Sequence, residues 1–77
     1  MTPAVALRDL RPGQSAEVVS INAADAGRLI RLGSLGVVPG VIITVQQHEP
    51  ACVIQVGETE LSLDGEVTRE IMTRVLN

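Results

Sequence analysis

The sequence contains no phenylalanine, tyrosine or tryptophan among its 77 residues. Proteins that bind single-stranded nucleic acid stack the bases on aromatic side chains, and domains that bind proline-rich peptides line their grooves with aromatic rings. Neither kind of site can be built from this chain. The core must therefore be aliphatic, because non-aromatic side chains supply the whole hydrophobic fraction of 45%.

Positive charge is also scarce. The chain has no lysine, and its six arginines face nine carboxylates, which gives a net charge of −3. Binding to a phosphate backbone requires clustered positive charge. The sequence therefore predicts no nucleic-acid partner, and the acidic excess favours solubility.

Cysteine and long apolar runs are nearly absent. Cys52 is the single cysteine and excludes an internal disulfide, while no segment is long and apolar enough for a membrane span or a signal peptide. We therefore expect a reduced, cytoplasmic protein without direct membrane insertion. One histidine, His48, one cysteine and no close acid–base pair leave nothing to catalyse hydrolysis or phosphoryl transfer, so we expect no enzymatic activity.

The length predicts one domain over residues 1–77, with residues 1–6 loose and a barrel over about 7–75. Leu7 and Leu10 fit a single helical turn. Alternation and β-branched content predict five strands, at residues 15–21, 41–47, 52–56, 59–63 and 71–75, with one short α-helix over about 25–35 between the first two. Residues 64–70 are predicted to form a polar turn that contains one 3₁₀ turn. Such short strands bury their apolar face by curling, so the predicted fold is mainly β, a small antiparallel barrel.

The helix and the turn that follows it organise the sequence. Leu29, Leu32 and Leu35 recur every three residues, which places them on one side of the helix and predicts that Leu29 and Leu32 are core, while Arg28 and Arg31 occupy another side. The helix stop is signalled by Gly36, which tolerates a left-handed conformation, and the turn into the next strand by Pro39-Gly40.

The order of these motifs resembles the FeoA family. The resemblance is carried by Leu7, Leu10 and Gly13, by Leu35-Gly36-Val37-Val38-Pro39-Gly40 after the helix, by Leu61-x-Leu63, and by Ile71. It implies an SH3-like β-barrel that binds and regulates the cytoplasmic part of the membrane transporter FeoB in bacterial ferrous iron uptake. The same domain resembles the C-terminal module of metal-dependent repressors, so a metal-binding regulatory domain is the alternative. With 77 residues and no DNA-reading domain, the free-standing accessory is the expected match.

The segment after the helix has a structural and a functional interpretation. Structurally, its glycines serve only to stop the helix and turn the chain. Functionally, Leu35, Val37 and Val38 form an apolar rim for another protein, and Arg28 and Arg31 are either solvated or border a surface for an acidic partner segment. The predicted partner-binding residues are Arg28, Arg31, Leu35, Gly36, Val37, Val38, Pro39 and Gly40.

His48, Glu49 and Cys52 are candidate ligands for a divalent metal such as iron or zinc, since both metals accept imidazole and thiolate. Pro50 interrupts the strand geometry between them, and no other histidine or cysteine can complete the site. We therefore expect an ordinary loop histidine and a buried cysteine, no required cofactor, and weak metal binding as the alternative. The oligomeric state stays open, including a homodimer that pairs an edge strand.

Overall fold

The computed structural model describes residues 3–76. Within them lie six strands, two α-helices and, directly after the first strand, a short 3₁₀ turn at Leu7–Asp9. The elements are β1 (Val5–Ala6), β2 (Ser15–Ile21), α1 (Ala26–Ser34), β3 (Ile42–Gln47), β4 (Cys52–Val56), β5 (Thr59–Leu63), α2 (Gly65–Glu70) and β6 (Ile71–Val75). None of the helices in this range is long and apolar enough to cross a membrane.

The strands form one antiparallel sheet in the order β1-β6-β2-β3-β4-β5. Alternate side chains of a strand share a face, and one face of this sheet is aliphatic. Curling brings that face around a single core, although β1 and β5 remain separate edges. The core residues are Leu7, Leu10, Ala16, Val18, Leu32, Val37, Ile43, Val45, Cys52, Ile54, Val56, Leu63, Val67 and Ile71.

Four of the five predicted strands have the predicted bounds, and β3 begins one residue later, at Ile42. The prediction that residues 1–6 are loose is wrong for Val5–Ala6; residues 1–2 lie outside the described residues. Val5 pairs with Thr73, whose buried hydroxyl donates to the Val5 carbonyl at 3.0 Å. A two-residue strand is too short to show alternation, so its only support is this pairing with β6.

The predicted polar turn at residues 64–70 is instead an α-helix, α2. The Asp64 carboxylate accepts a hydrogen bond from the Val67 N–H at 3.0 Å and so caps the first turn. Val67 and Thr68 are buried on the inner side. Capping and burial together stabilise a six-residue helix that the sequence pattern alone does not indicate.

Helix α1 is an excursion from the sheet, because β2 and β3, which flank it in sequence, pair directly with each other. The Gly40 N–H donates to the Val18 carbonyl at 2.7 Å, and the Val18 N–H donates to the Val41 carbonyl at 2.9 Å. These two bonds close the stem of the excursion. The helix begins after Asp25, whose carboxylate accepts from the Arg28 N–H at 2.7 Å.

The end of α1 is a Schellman motif. Gly36 has φ +91°, its N–H donates to the Gly33 carbonyl at 3.0 Å, and the Val37 N–H donates to the Leu32 carbonyl at 2.9 Å. Leu32 and Val37 are both buried, as is common for the hydrophobic pair in this motif. The prediction that Val37 belongs to an exposed rim is therefore wrong.

Replacing Gly36 with alanine tests the helix stop. An added Cβ would meet Val56 only at an ordinary contact distance of 3.8 Å, so the cost comes from the left-handed backbone and is expected to be about 1–2 kcal/mol of unfolding free energy. Urea unfolding followed by far-ultraviolet circular dichroism measures it. Gly65→Ala is the control, since Gly65 has an ordinary φ and open space around it. Equal changes in the two variants would contradict the prediction.

Candidate functional site

A groove opens between α1 and the segment that joins β5 to α2. Its volume is about 130 Å³. We call it the α1–β5 groove and define it by its lining residues, which are Arg28, Arg31, Leu32 and Leu35 on the α1 side and Ser62, Leu63, Asp64 and Val67 on the other.

Arg28 fixes the position of the helical wall. Its Nη1 atom donates to both carboxylate oxygens of Glu70, at 2.8 and 3.0 Å, and its Nη2 atom donates to Glu66 at 3.3 Å. The hydrogen bond with Glu70 is the main cause of a raised Arg28 pKa. The Ala24 N–H also donates to Glu70, at 3.1 Å. Glu70 therefore holds α1 through Arg28 and the segment just before the helix through Ala24, and Arg28 connects the helix to α2.

Arg31 and Leu35 are the open part of the helical wall. The Arg31 side chain is exposed, and its guanidinium takes part in none of the ion pairs or hydrogen bonds found within residues 3–76. The Leu35 side chain is 44% exposed beside the buried Leu32. A positive charge without a partner thus lies next to accessible aliphatic surface.

The structure brings only part of the predicted contact surface into the groove. Arg28, Arg31 and Leu35 line it, whereas Gly36, Val38, Pro39 and Gly40 are exposed in the turn that follows and do not. The exposure predicted for Val38 is confirmed, at 43%. The core position predicted for Leu29 is wrong, because its side chain is 46% exposed and only Leu32 of that stripe is buried.

The second wall of the groove was missed by the sequence interpretation. Ser62, Leu63, Asp64 and Val67 are about thirty residues away from α1 along the chain, and they meet it only because the sheet curls. The Leu61-x-Leu63 pattern marks β5, and Asp64 three residues before Val67 is a capping signal. Neither pattern indicates which helix lies opposite.

The structure does not assemble the candidate metal ligands. The His48 Nε2 atom is hydrogen-bonded with the Leu10 carbonyl, and Cys52 is buried. Burial raises the pKa of the Cys52 thiol, which disfavours the thiolate that metals require. Although His48, Glu49 and Cys52 border a cavity of about 250 Å³, no three histidine, cysteine or acidic residues within residues 3–76 are placed to hold a metal ion.

Comparison with known proteins identifies the family. Residues 5–75 match the family described as the FeoA domain. The chain belongs to the FeoA family. The resemblance found in the sequence is thereby confirmed, and membership of the FeoA family implies an accessory role in ferrous iron transport. A search of curated proteins found no match.

Solved structures support this assignment. A crystal structure of an iron uptake regulatory protein, FeoA, is 28% identical, covers 96% of this chain and 100% of its own, and superposes with a TM-score of 0.85. The FeoA protein from Chlorobium tepidum is 25% identical over 95% of this chain and 71% of its own, with a TM-score of 0.87.

A repressor domain has the same fold. A manganese-dependent transcriptional repressor is 20% identical over 99% of this FeoA chain and 44% of its own, with a TM-score of 0.87. At that identity the likeness concerns the fold alone. It agrees with the FeoA structures, and the predicted SH3-like barrel is confirmed, with six strands instead of five.

Proposed function

We propose that this FeoA domain is a non-catalytic, cytoplasmic accessory of bacterial ferrous iron uptake, and that it binds and regulates the cytoplasmic part of a FeoB-type transporter through the α1–β5 groove. The observation that carries the proposal is that Arg31, whose guanidinium has no partner within residues 3–76, lies beside the accessible Leu35 in a groove lined at its base by buried aliphatic side chains. Family membership supports the role in ferrous iron uptake, and the groove supports the choice of the binding surface.

The chemistry of the groove suits protein binding. Arginine is enriched among the few central, desolvated residues that contribute most of the binding energy in typical interfaces, whereas the surrounding residues mainly exclude water. Leu35 can bury its exposed part against a partner, and Arg31 can form an ion pair with a partner carboxylate that becomes stronger as water is excluded. The arrangement favours docking over metal binding, because the groove holds this pair and the candidate metal ligands do not converge.

Replacing Leu35 with serine tests the docking surface. We expect binding to the soluble cytoplasmic part of FeoB to weaken by about tenfold or more, since the variant removes the accessible apolar side chain from the groove. Isothermal titration calorimetry, with and without guanine nucleotide, measures the dissociation constant.

Ile30→Ser is the matched control for this experiment. Ile30 lies on the same helix and is 70% exposed, but it does not line the groove. Its replacement is expected to change the dissociation constant by less than about twofold. Equal losses in the two variants, or wild-type binding by L35S, would contradict docking at the groove.

A further inference from the structure

β5 leaves half of its backbone hydrogen-bonding groups available. It pairs with β4 on one side and, within residues 3–76, has no strand on the other. The two-residue loop Gly57-Glu58, with Gly57 at φ +60°, makes Val56 and Thr59 the first hydrogen-bonded pair of the hairpin. Bonded and non-bonded pairs then alternate along the ladder. Glu60 and Ser62 therefore direct their N–H and C=O groups away from β4, toward the open edge.

This open edge borders the α1–β5 groove. Ser62 lines the groove, and α1 forms the opposite wall with Arg31 and Leu35. An extended chain placed between β5 and α1 would reach the backbone groups of Ser62 on one side and the helical side chains on the other. The opposite sheet edge offers no comparable template, because β1 has only two residues.

We propose that the partner segment binds by strand addition: an extended peptide pairs with the open edge of β5 and lies in the groove against α1. This inference rests on the proposed function and specifies its mode. Main-chain hydrogen bonds supply part of the affinity in such complexes, and alternate side chains supply specificity. This chain supplies three parts of such a complex, namely the acceptor strand β5, the α1–β5 groove and the helical wall formed by α1.

The side chains of the groove define the chemistry of the segment. Leu32, Leu35, Leu63 and Val67 favour an aliphatic residue, and the unpartnered guanidinium of Arg31 favours a carboxylate. Alternate residues of a strand share a face, so the aliphatic and the acidic residue are expected two positions apart. A second copy of this chain is a poorer occupant, because each copy has a net charge of −3 and two copies repel each other.

Amide hydrogen exchange detects the new ladder directly. With the soluble cytoplasmic part of FeoB bound, the amides of Glu60 and Ser62 are expected to exchange at least about tenfold more slowly than in the free protein. The amides of Thr59, Leu61 and Leu63 provide the internal reference, since β4 already protects them. A blocked pentapeptide, Thr-Val-Thr-Asp-Thr, is the second probe, and its counterpart with lysine in place of aspartate is the control for charge.

A proline substitution isolates the backbone contribution. Ser62→Pro removes the N–H that faces the open edge and leaves the β4 ladder intact, and proline is tolerated at such edge positions. It is expected to weaken binding by at least about tenfold more than Ser62→Ala, which keeps the N–H. Circular dichroism checks that S62P folds, and the exchange measurement on the wild-type protein does not depend on that variant.

Arg31→Gln tests the carboxylate. It is expected to weaken binding of the FeoB fragment severalfold, with a loss that shrinks at high salt. Arg69→Gln is the matched control, because Arg69 is exposed on α2 outside the groove. Equal effects of the two substitutions would refute the proposed charge preference.

The outcomes separate the mode of binding from the function. Slowed exchange at Glu60 and Ser62 in the FeoB complex supports both. If L35S weakens FeoB binding but the amides of Glu60 and Ser62 stay unprotected in the wild-type complex, strand addition is overturned and the proposed function is kept. No binding of the FeoB fragment, with protection by the pentapeptide, overturns the function and keeps strand addition. Failure of both probes, or protection that instead follows protein concentration through self-association, overturns the proposal.

Discussion

Ile54→Ala is expected to remove most of the free energy of unfolding. Ile54 is fully buried at the centre of β4, and replacing a buried isoleucine with alanine costs about 2–5 kcal/mol. A domain of this size has a single small core and is typically stable by only about 3–5 kcal/mol. No aromatic side chain is present to supply a large buried area elsewhere. The loss is therefore comparable with the whole stability.

Urea titration followed by far-ultraviolet circular dichroism measures this loss, and amide chemical-shift dispersion reports whether the fold persists. Ile42→Ala is the matched control, because it makes the same change on the adjacent strand β3 at a side chain that is 56% exposed. Its cost is expected to be about 1 kcal/mol or less. If both variants lost similar stability, burial in the core would not be what Ile54 contributes.

Glu70→Ala is expected to release α1 and to open the α1–β5 groove. Glu70 accepts two hydrogen bonds from Arg28 and one from the Ala24 N–H, so one substitution removes three of the four hydrogen bonds that join Ala24 and Arg28 to α2 and leaves only the one from Arg28 to Glu66. We expect amide exchange in α1 to accelerate by about tenfold or more, and FeoB binding to weaken although Glu70 does not line the groove. Hydrogen exchange and calorimetry measure the two effects.

Two further variants show whether the effect comes from these hydrogen bonds. Glu70→Gln keeps an acceptor oxygen and is expected to restore part of the protection of α1. Glu17→Ala removes a carboxylate that forms an ion pair with Arg74, away from α1, and is expected to leave both α1 exchange and FeoB binding unchanged. Wild-type exchange rates in E70A would show that Leu32 and the helix stop alone hold α1 in place.

The sequence predicts the larger elements because their signals are local. The predicted bounds of β4 and β5 are confirmed, and the loop between them contains Gly57, a local turn residue with φ +60°. What it does not predict depends on contacts between distant segments. β1 exists because Val5 meets Thr73, and α2 is stabilised by burying Val67 and Thr68 in the core. Neither contact leaves a periodic pattern in a stretch of two or six residues.

For the same reason, about half of the candidate site can be predicted from the sequence. The sequence predicts Arg28, Arg31 and Leu35 as contact residues but places the arginines and Leu35 on different sides of the helix, whereas the structure shows all three lining one groove. Spacing also predicts Leu29 as core, and the functional interpretation of the turn predicts Val37 as exposed; both predictions are wrong. The Schellman motif turns Val37 inward onto Leu32. Helical periodicity does not extend past Leu35, where the chain leaves the helix, so it could not predict that Val37 lies on the inner side.

The stem bonds at Val18 have a consequence for how such domains can diversify. Gly40 and Val41 form hydrogen bonds with Val18 of β2 just before β3 begins. These bonds, and not the helix, therefore fix the register of the two strands. The segment from residue 22 to residue 39 can therefore change in length or sequence without shifting the strand register, provided that it still supplies buried side chains at the positions of Leu32 and Val37. A graft taken from another domain at this stem would replace the helical wall of the α1–β5 groove and leave the β5 wall unchanged.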